Sequence, residues 1–127
     1  FPKKEIDMKL INEVSNLAKI SNYVESLPFG YETIIGEGGG KLSGGQLQRI
    51  ALARALYRKP KVLIFDEITS ALDIKTEEEV LSSIQSLDKN ITIIMIAHRK
   101  STLRNCDKVI EIENGKIRNI FNKSEFI

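Results

Sequence analysis

The chain is poor in cysteine, in charge of one sign and in long apolar runs. Its single cysteine, Cys106, cannot form an internal disulfide and suits a reducing compartment. The longest apolar runs, such as residues 93–97, fall far short of the ~20 residues that span a bilayer, and no secretory signal is visible. A net charge of only +2, without a dense block of Lys and Arg, argues against a nucleic-acid partner.

Regular hydrophobic periodicity is present, and it predicts alternating helices and strands. Helices are predicted at residues 7–27, 46–58, 75–87 and 99–106, and residues 20–27 of the first region are predicted to form a second short turn that stops at Pro28. Unbroken apolar stretches predict two strands buried on both faces, 61–67 and 91–98, and alternation predicts a hairpin at 108–120. Asp7 is placed to cap the first helix, and Asn114-Gly115 is a strong turn signal. The strand–helix–strand order implies a right-handed parallel βαβ unit.

Most of the eight glycines lie in GEGGGKLSGGQ, residues 36–46, a composition that suggests a phosphate-binding loop. A Walker A loop requires G-x-x-x-x-G-K-[ST]. Here Leu42 follows the Gly40-Lys41 pair, and no serine or threonine takes its place. Ile35 occupies the position of the first glycine, and no other stretch of the chain fits the pattern. The lysine of this loop therefore does not identify a phosphate site.

The same loop opens directly into a predicted helix through Ser43, Gly44, Gly45 and Gln46. The N-terminus of a helix offers unpaired N–H groups and the positive end of its dipole to an anion. Ser43 could cap the helix and donate its hydroxyl to a phosphate oxygen, while the two glycines would let backbone approach a ligand closely. The alternative is an ordinary Ser-capped helix after a flexible loop.

Two acids end the first apolar strand, at the edge where α/β sheets bind ligands. Consecutive strand residues point to opposite sides, so Asp66 could hold Mg²⁺ while Glu67 polarises an attacking water as general base. His98, the only histidine, follows the second strand and could contact a γ-phosphate or that water. The alternatives are solvated acids, a packed or solvated histidine, and Asp73 as a simple helix cap.

In this order and spacing the motifs closely resemble the nucleotide-binding domain of ATP-binding cassette (ABC) transporters, over roughly residues 6–120. The signature motif of the family is similar to LSGGQ followed by LQRIALARAL, and its Walker B motif with the catalytic glutamate is similar to VLIFDE. The D-loop of the family is similar to SALD, and its switch histidine is similar to the histidine of IAHR. The flanking stretches SLPFGYETIIGEGGGKLSGGQ and AHRKSTLRNCDKVIEIENGKI are similar to the exporter branch.

The resemblance implies an α/β fold: a partial P-loop NTPase (RecA-like) core with parallel strands and a C-terminal β-hairpin, plus part of an α-helical subdomain. Residues 1–45 would belong to the helical subdomain, and 46–127 to the signature helix and the C-terminal part of the ATPase core. Walker A, the adenine-stacking aromatic and the Q-loop have no counterpart here, and the chain starts at Phe1 instead of Met. A C-terminal fragment, inactive by itself, is therefore expected.

The resemblance also implies a composite site in which ATP and Mg²⁺ lie between two cassettes, identical or different. The residues carried over are Glu67 and His98 for catalysis, Asp66 for the metal, and Ser43, Gly44, Gly45, Gln46 and Asp73 for the nucleotide shared across the dimer. The intact protein would hydrolyse ATP at the cytoplasmic face of a membrane and drive export through a transmembrane domain fused upstream. The alternatives are a non-enzymatic docking module and a soluble ABC ATPase of DNA repair or translation.

Overall fold

The computed structural model describes residues 6–36, 41–67, 71–87, 90–97, 100–104 and 106–125. Its helices are α1 (Met8–Leu17), α2 (Ser21–Ser26), α3 (Gly44–Tyr57), α4 (Ile74–Gln85) and α5 (Lys100–Leu103). Its strands are β1 (Val62–Asp66), β2 (Thr92–Ile96), β3 (Lys108–Glu113) and β4 (Lys116–Asn122). Short 3₁₀ turns occupy Gly30–Glu32 and Lys123–Glu125. The predicted α/β fold is confirmed.

The region predicted as helical at residues 7–27 forms two helices, and the predicted second turn at residues 20–27 is α2. The chain changes direction between them at Lys19. Asp7 caps α1 as predicted, its carboxylate accepting the Leu10 N–H at 3.0 Å. Lys19 has a φ of 56°, and the Ile20 N–H donates to the Ser15 carbonyl at 2.9 Å. This left-handed residue and the bond across it form a Schellman-type ending, which satisfies the last carbonyl groups of α1 and starts a new direction.

Strands β1 and β2 are parallel, as predicted, and pair in register with Leu63 opposite Ile93. Leu63 and Phe65 are buried, at 4% and 5% exposure, on the face that meets the helices. The prediction that both faces are buried is wrong for this chain, since Ile64 is 66% exposed on the other face. The physical reason is that the described helices cover only one side of the two-stranded sheet.

One hydrophobic core joins α1, α2, α3, β1 and α4. Its most deeply buried large side chains are Ile20, Val80 and Ile84, all at 2% exposure or less. Val80 and Ile84 stand one turn apart on α4, which is the spacing that the amphipathic pattern predicts. Each such side chain contributes roughly 1.5–3 kcal/mol relative to an exposed one. The core therefore fixes the helices on the sheet that carries the two acids.

Strands β3 and β4 form the predicted antiparallel hairpin. Asn114 and Gly115, at its turn, have φ values of 50° and 73°. Positive φ at both central residues is the type I′ geometry, whose twist matches that of the flanking strands. Within the described ranges, no helix has both the length and the apolarity needed to cross a membrane.

Candidate functional site

The N-terminus of α3 is held by a reciprocal capping box. Ser43 has extended backbone, and its Oγ accepts the Gln46 N–H at 3.2 Å. Gln46 returns the contact, because its Oε1 accepts the Ser43 N–H at 2.8 Å. One acceptor on each side chain is thus used within the turn. Within the described part of the chain, the Ser43 hydroxyl proton and the Gln46 amide protons have no acceptor, so they could donate to an anion.

The backbone of the first turn adds further donors. The Leu47 N–H is bonded to the Ser43 carbonyl at 2.9 Å, and the cap satisfies the Gln46 N–H. The N–H groups of Gly44 and Gly45 have no acceptor among the residues that the structure describes. They lie at the positive end of a 14-residue helix, where an anion is stabilised. Gly44 is exposed at this end, whereas Gly45 is buried.

The two glycines lie against the segment that precedes α4. A Cβ at Gly45 would stand 3.0 Å from Leu72 Cδ2 and 3.2 Å from the Ala71 carbonyl oxygen, and one at Gly44 would stand 3.2 Å from Ala71 Cβ. The space beside Gly45 is therefore filled by the chain itself. The sequence attributed these glycines to close approach of a ligand, and no local signal indicated a contact with residues so distant along the chain.

Arg49 connects the first turn of α3 to the end of α1 through two hydrogen bonds. Its Nε donates to the Gly45 carbonyl at 3.2 Å, and its Nη1 donates to the Lys19 carbonyl at 2.7 Å. The second bond reaches the left-handed residue at which α1 ends. Arg49 thereby ties the start of α3 to the end of α1, a positioning role that the sequence analysis did not identify.

Asp66 and Glu67 stand together at the carboxyl end of β1, and both are exposed. The Glu67 N–H donates to the Ile96 carbonyl at 3.0 Å, so the ladder to β2 extends one residue beyond the strand. Glu67 then adopts a φ of 49°, which is uncommon for a residue with a long side chain. Such strained positions cluster at functional sites, where the surrounding structure imposes them.

Asp66 suits a magnesium ion only as one ligand among others. No group of three or more His, Cys, Asp and Glu side chains comes together in the described ranges to form a complete metal site. Mg²⁺ prefers oxygen ligands and is usually bound by one or two carboxylates, together with waters and substrate phosphates. A single exposed carboxylate at a strand end fits that requirement, and the remaining ligands would come from a nucleotide.

Asp73 is the N-cap of α4, which was the simpler of the two interpretations. Its Oδ1 accepts the Thr76 N–H at 3.1 Å, and its Oδ2 accepts the Thr76 hydroxyl at 2.7 Å. These bonds, the hydroxyl bond first, hold the pKa of the Asp73 carboxyl below its ordinary value. The cap does not test a role for Asp73 between two cassettes. His98 lies outside the described residues.

A cavity within the described ranges lies away from these polar groups. It has a volume of about 420 Å³ and opens between α1, α2 and α3. Its lining is mostly apolar, with Val14, Ile20 and Tyr23 among its walls, and it includes neither Ser43 nor the two acids. The candidate functional groups lie instead at two exposed parts of the chain, the start of α3 and the end of β1.

Comparisons with known proteins find a matching family model and similar proteins. A family model described as "ABC transporter" matches residues 2–70. The chain is 46% identical over 125 residues to "ABC transporter B family member 14" of Arabidopsis thaliana, covering 98% of this chain and 10% of that protein. It is 42% identical over 126 residues to the "ATP-dependent lipid A-core flippase" of Cupriavidus metallidurans, covering 99% of this chain and 21% of that protein.

A solved structure described as a bacterial Atm1-family ABC exporter with ATP bound has the same fold, with a TM-score of 0.84 and 37% sequence identity. The match covers 93% of this chain and 21% of the exporter chain. The chain thus spans about a tenth to a fifth of the length of the proteins that it matches.

Proposed function

The chain belongs to the ABC transporter family, in its exporter-type nucleotide-binding domain, and from this premise we propose that it contributes residues to two composite sites for Mg-ATP hydrolysis, each shared with a second cassette. The observation that carries the proposal is that the chain presents both an exposed, capped helix start at Ser43 and two exposed carboxylates at the end of a parallel strand. The first offers donors to phosphate, and the second offers a metal ligand and a base.

The carboxylates and the histidine would serve the ATP that this cassette itself binds. Asp66 would hold Mg²⁺, which neutralises charge on the phosphates when it is bound. Glu67 would accept a proton from the attacking water, and its strained backbone would hold the carboxylate in place. His98 would donate a hydrogen bond to the γ-phosphate or to that water.

The start of α3 would serve the nucleotide of a second cassette. Ser43, Gly44, Gly45 and Gln46 would contact its γ-phosphate from the opposite side, and Asp73 would lie near the junction between the two sites. The Ser43 hydroxyl and the Gln46 amide suit this role because each retains a donor after capping. Closing the two cassettes would exclude water and align the donors, and this alignment supplies most of the catalysis in phosphoryl transfer.

Transport is favoured over a soluble role in DNA repair or translation because the relatives are described as a transporter and a flippase. By this proposal the longer protein carries a membrane domain upstream, works at the cytoplasmic face of a membrane and exports a substrate. A gene that encodes no apolar, membrane-spanning segments upstream of Phe1 would contradict it.

The experiment that tests catalysis compares two acid-to-amide variants. In the longer protein, Glu67→Gln should abolish ATP hydrolysis while ATP binding persists. Glu78→Gln is the matched control, because Glu78 is exposed on α4. The 127-residue chain alone should neither bind nor hydrolyse ATP usefully, since it contains no Walker A sequence. Hydrolysis by the purified chain that Glu67→Gln abolishes would refute that second expectation.

The exposed sheet face favours one other function, a non-enzymatic docking module. Ile64 and Ile94 are paired neighbours across β1 and β2, at 66% and 48% exposure. Uncovered apolar surface of this kind promotes association. If docking were the function, light scattering would give a mass that rises with concentration. Glu67→Gln in the longer protein would then leave its association with a partner unchanged. A concentration-independent monomer would count against it.

A further inference from the structure

Arg49 and Ser43 bond to opposite ends of one peptide unit at the start of α3. The Nε of Arg49 donates to the Gly45 carbonyl oxygen at 3.2 Å. The N–H group of the same peptide, on Gln46, donates to Ser43 Oγ at 3.2 Å. A carbonyl and the N–H that follows it belong to one planar amide. A continuous path of hydrogen bonds therefore runs from the guanidinium of Arg49 through this amide to the Ser43 hydroxyl.

The guanidinium brings a positive charge to this path. Within the described ranges Arg49 makes no ion pair with a carboxylate, and its two hydrogen bonds go to carbonyl oxygens. A hydrogen bond with a charged donor is roughly twice as strong as a neutral one. Consecutive hydrogen bonds polarise one another, so each N–H or O–H group becomes a better donor. The charge of Arg49 should therefore make the Ser43 hydroxyl a stronger donor to an anion.

The second bond of Arg49 fixes the guanidinium in this position. Its Nη1 donates to the Lys19 carbonyl at 2.7 Å, two residues beyond the end of α1. Helix α1 has no basic residue in its own last turn, where a positive charge is favourable. Arg49 supplies that charge from α3, and the planar guanidinium is suited to bonding in two fixed directions. The donor at the Gly45 carbonyl is consequently held in place by α1.

The first turn of α3 has a positive potential that no acid of its own offsets. The turn contains no acidic residue, and the positive end of the helix dipole and the charge of Arg49 act there together. Ser43 is exposed, and its hydroxyl proton has no acceptor in the part of the chain that the structure describes. An anionic group is thus the complement that this turn fits, and in the proposed function that group is a phosphate.

We propose that Arg49 is a positioning residue that orients and polarises the Ser43 hydroxyl for its contact with the γ-phosphate of the second cassette's nucleotide. Arg49 acts through the amide between Gly45 and Gln46 and does not itself touch the nucleotide. This inference rests on the proposed function, because the proposed nucleotide is the target of the Ser43 hydroxyl.

The path of hydrogen bonds is tested first by NMR in the 127-residue chain. Arg49→Met removes every donor and keeps an unbranched apolar stem, and Arg49→Ala is the second variant if the first does not fold. The Gln46 amide proton should shift upfield and exchange with water about fivefold faster, because its bond to Ser43 Oγ weakens. Arg54→Met, at an exposed position on the same helix, should change neither. A folded Arg49 variant with an unchanged Gln46 shift and exchange rate overturns the proposal.

The contribution to catalysis is tested in the longer protein with a double-mutant cycle. Arg49→Met should lower kcat about fivefold with the affinity for ATP little changed, because in the proposed function each cassette binds its own nucleotide with other residues. In a Ser43→Ala background the same substitution should lower kcat no further, because the hydroxyl through which Arg49 acts is gone. Losses that multiply in the double variant overturn the proposal. If the longer protein does not hydrolyse ATP, the proposed function fails, and the Gln46 measurements still decide the path of hydrogen bonds.

Discussion

An added methyl group at Gly45 should destabilise the chain, whereas the same change at Gly44 should be nearly neutral. At Gly45 the new Cβ would meet Leu72 Cδ2 at 3.0 Å and the Ala71 carbonyl oxygen at 3.2 Å. At Gly44 it would meet only the Ala71 Cβ, at 3.2 Å. Leu72 is buried and the carbonyl belongs to the backbone, so the Gly45 site has less freedom to adjust.

The magnitude follows from two opposing effects. Overpacking a filled site typically costs about 1–3 kcal/mol, and we expect the close contacts at Gly45 to cost an amount within that range. Replacing glycine by alanine within a helix stabilises the folded chain by roughly 0.5–1 kcal/mol. For Gly45→Ala the free energy of unfolding should fall by about 1 kcal/mol. For Gly44→Ala the two effects should cancel to within about 0.5 kcal/mol, because Ala71 is exposed and can shift.

Urea unfolding followed by circular dichroism measures both variants directly. A loss of about 1 kcal/mol corresponds to a decrease of roughly 4 °C in Tm for a chain of this size. Gly44→Ala is the matched control, since it adds the same group one residue earlier on the same helix. If Gly45→Ala is as stable as Gly44→Ala, the packing of α3 against residues 71–72 does not constrain the signature glycines, and the reasoning is wrong.

Three further predictions concern single groups. Ser43→Ala should lower the free energy of unfolding in urea by about 1 kcal/mol through loss of the cap, while Ser43→Asp should retain it; equal losses in both would contradict the capping role. Because hydrogen bonds from Thr76 lower the folded pKa of Asp73, its contribution to stability is present above the unfolded pKa and is lost as pH falls through the folded pKa. Thr76→Val should therefore bring the pKa, measured by carboxyl NMR titration, back toward its ordinary value, and an unchanged pKa would refute that cause. Burial, and secondarily the neighbouring Asp107, raises the pKa of the Cys106 thiol, so alkylation by iodoacetamide near neutral pH should be slower than in the urea-unfolded chain and faster in Asp107→Asn.

Local chemistry made much of the fold predictable. The Asp7 cap and the Asn114-Gly115 turn depend on residues within a few positions of one another, and both form as expected. The strands and the start of α3 follow in the same way from apolar runs and from Ser43. The second turn at residues 20–27 was predicted, but the left-handed backbone of Lys19 that separates it from α1 was not, because lysine carries no signal for that conformation.

The candidate site was predictable to the level of residue types and their order. The sequence placed Asp66 and Glu67 at the end of a parallel strand, and the structure confirms that location. Their roles in binding and catalysis, and those of Ser43 and His98, stay predictions. The positive φ of Glu67 could not be foreseen, because a glutamate carries no local signal for a left-handed backbone.

The sequence by itself determined the family and the order of the helices and strands, and it supplied the prediction of which residues carry the chemistry. Tertiary structure alone decided which strand face is covered, that Gly45 lies against Ala71 and Leu72, and that Glu77 meets Thr102. The physical reason is separation along the chain. Periodicity and capping report on neighbours within one or two turns, whereas these contacts join residues 25 or more positions apart, brought together only when the shared core closes.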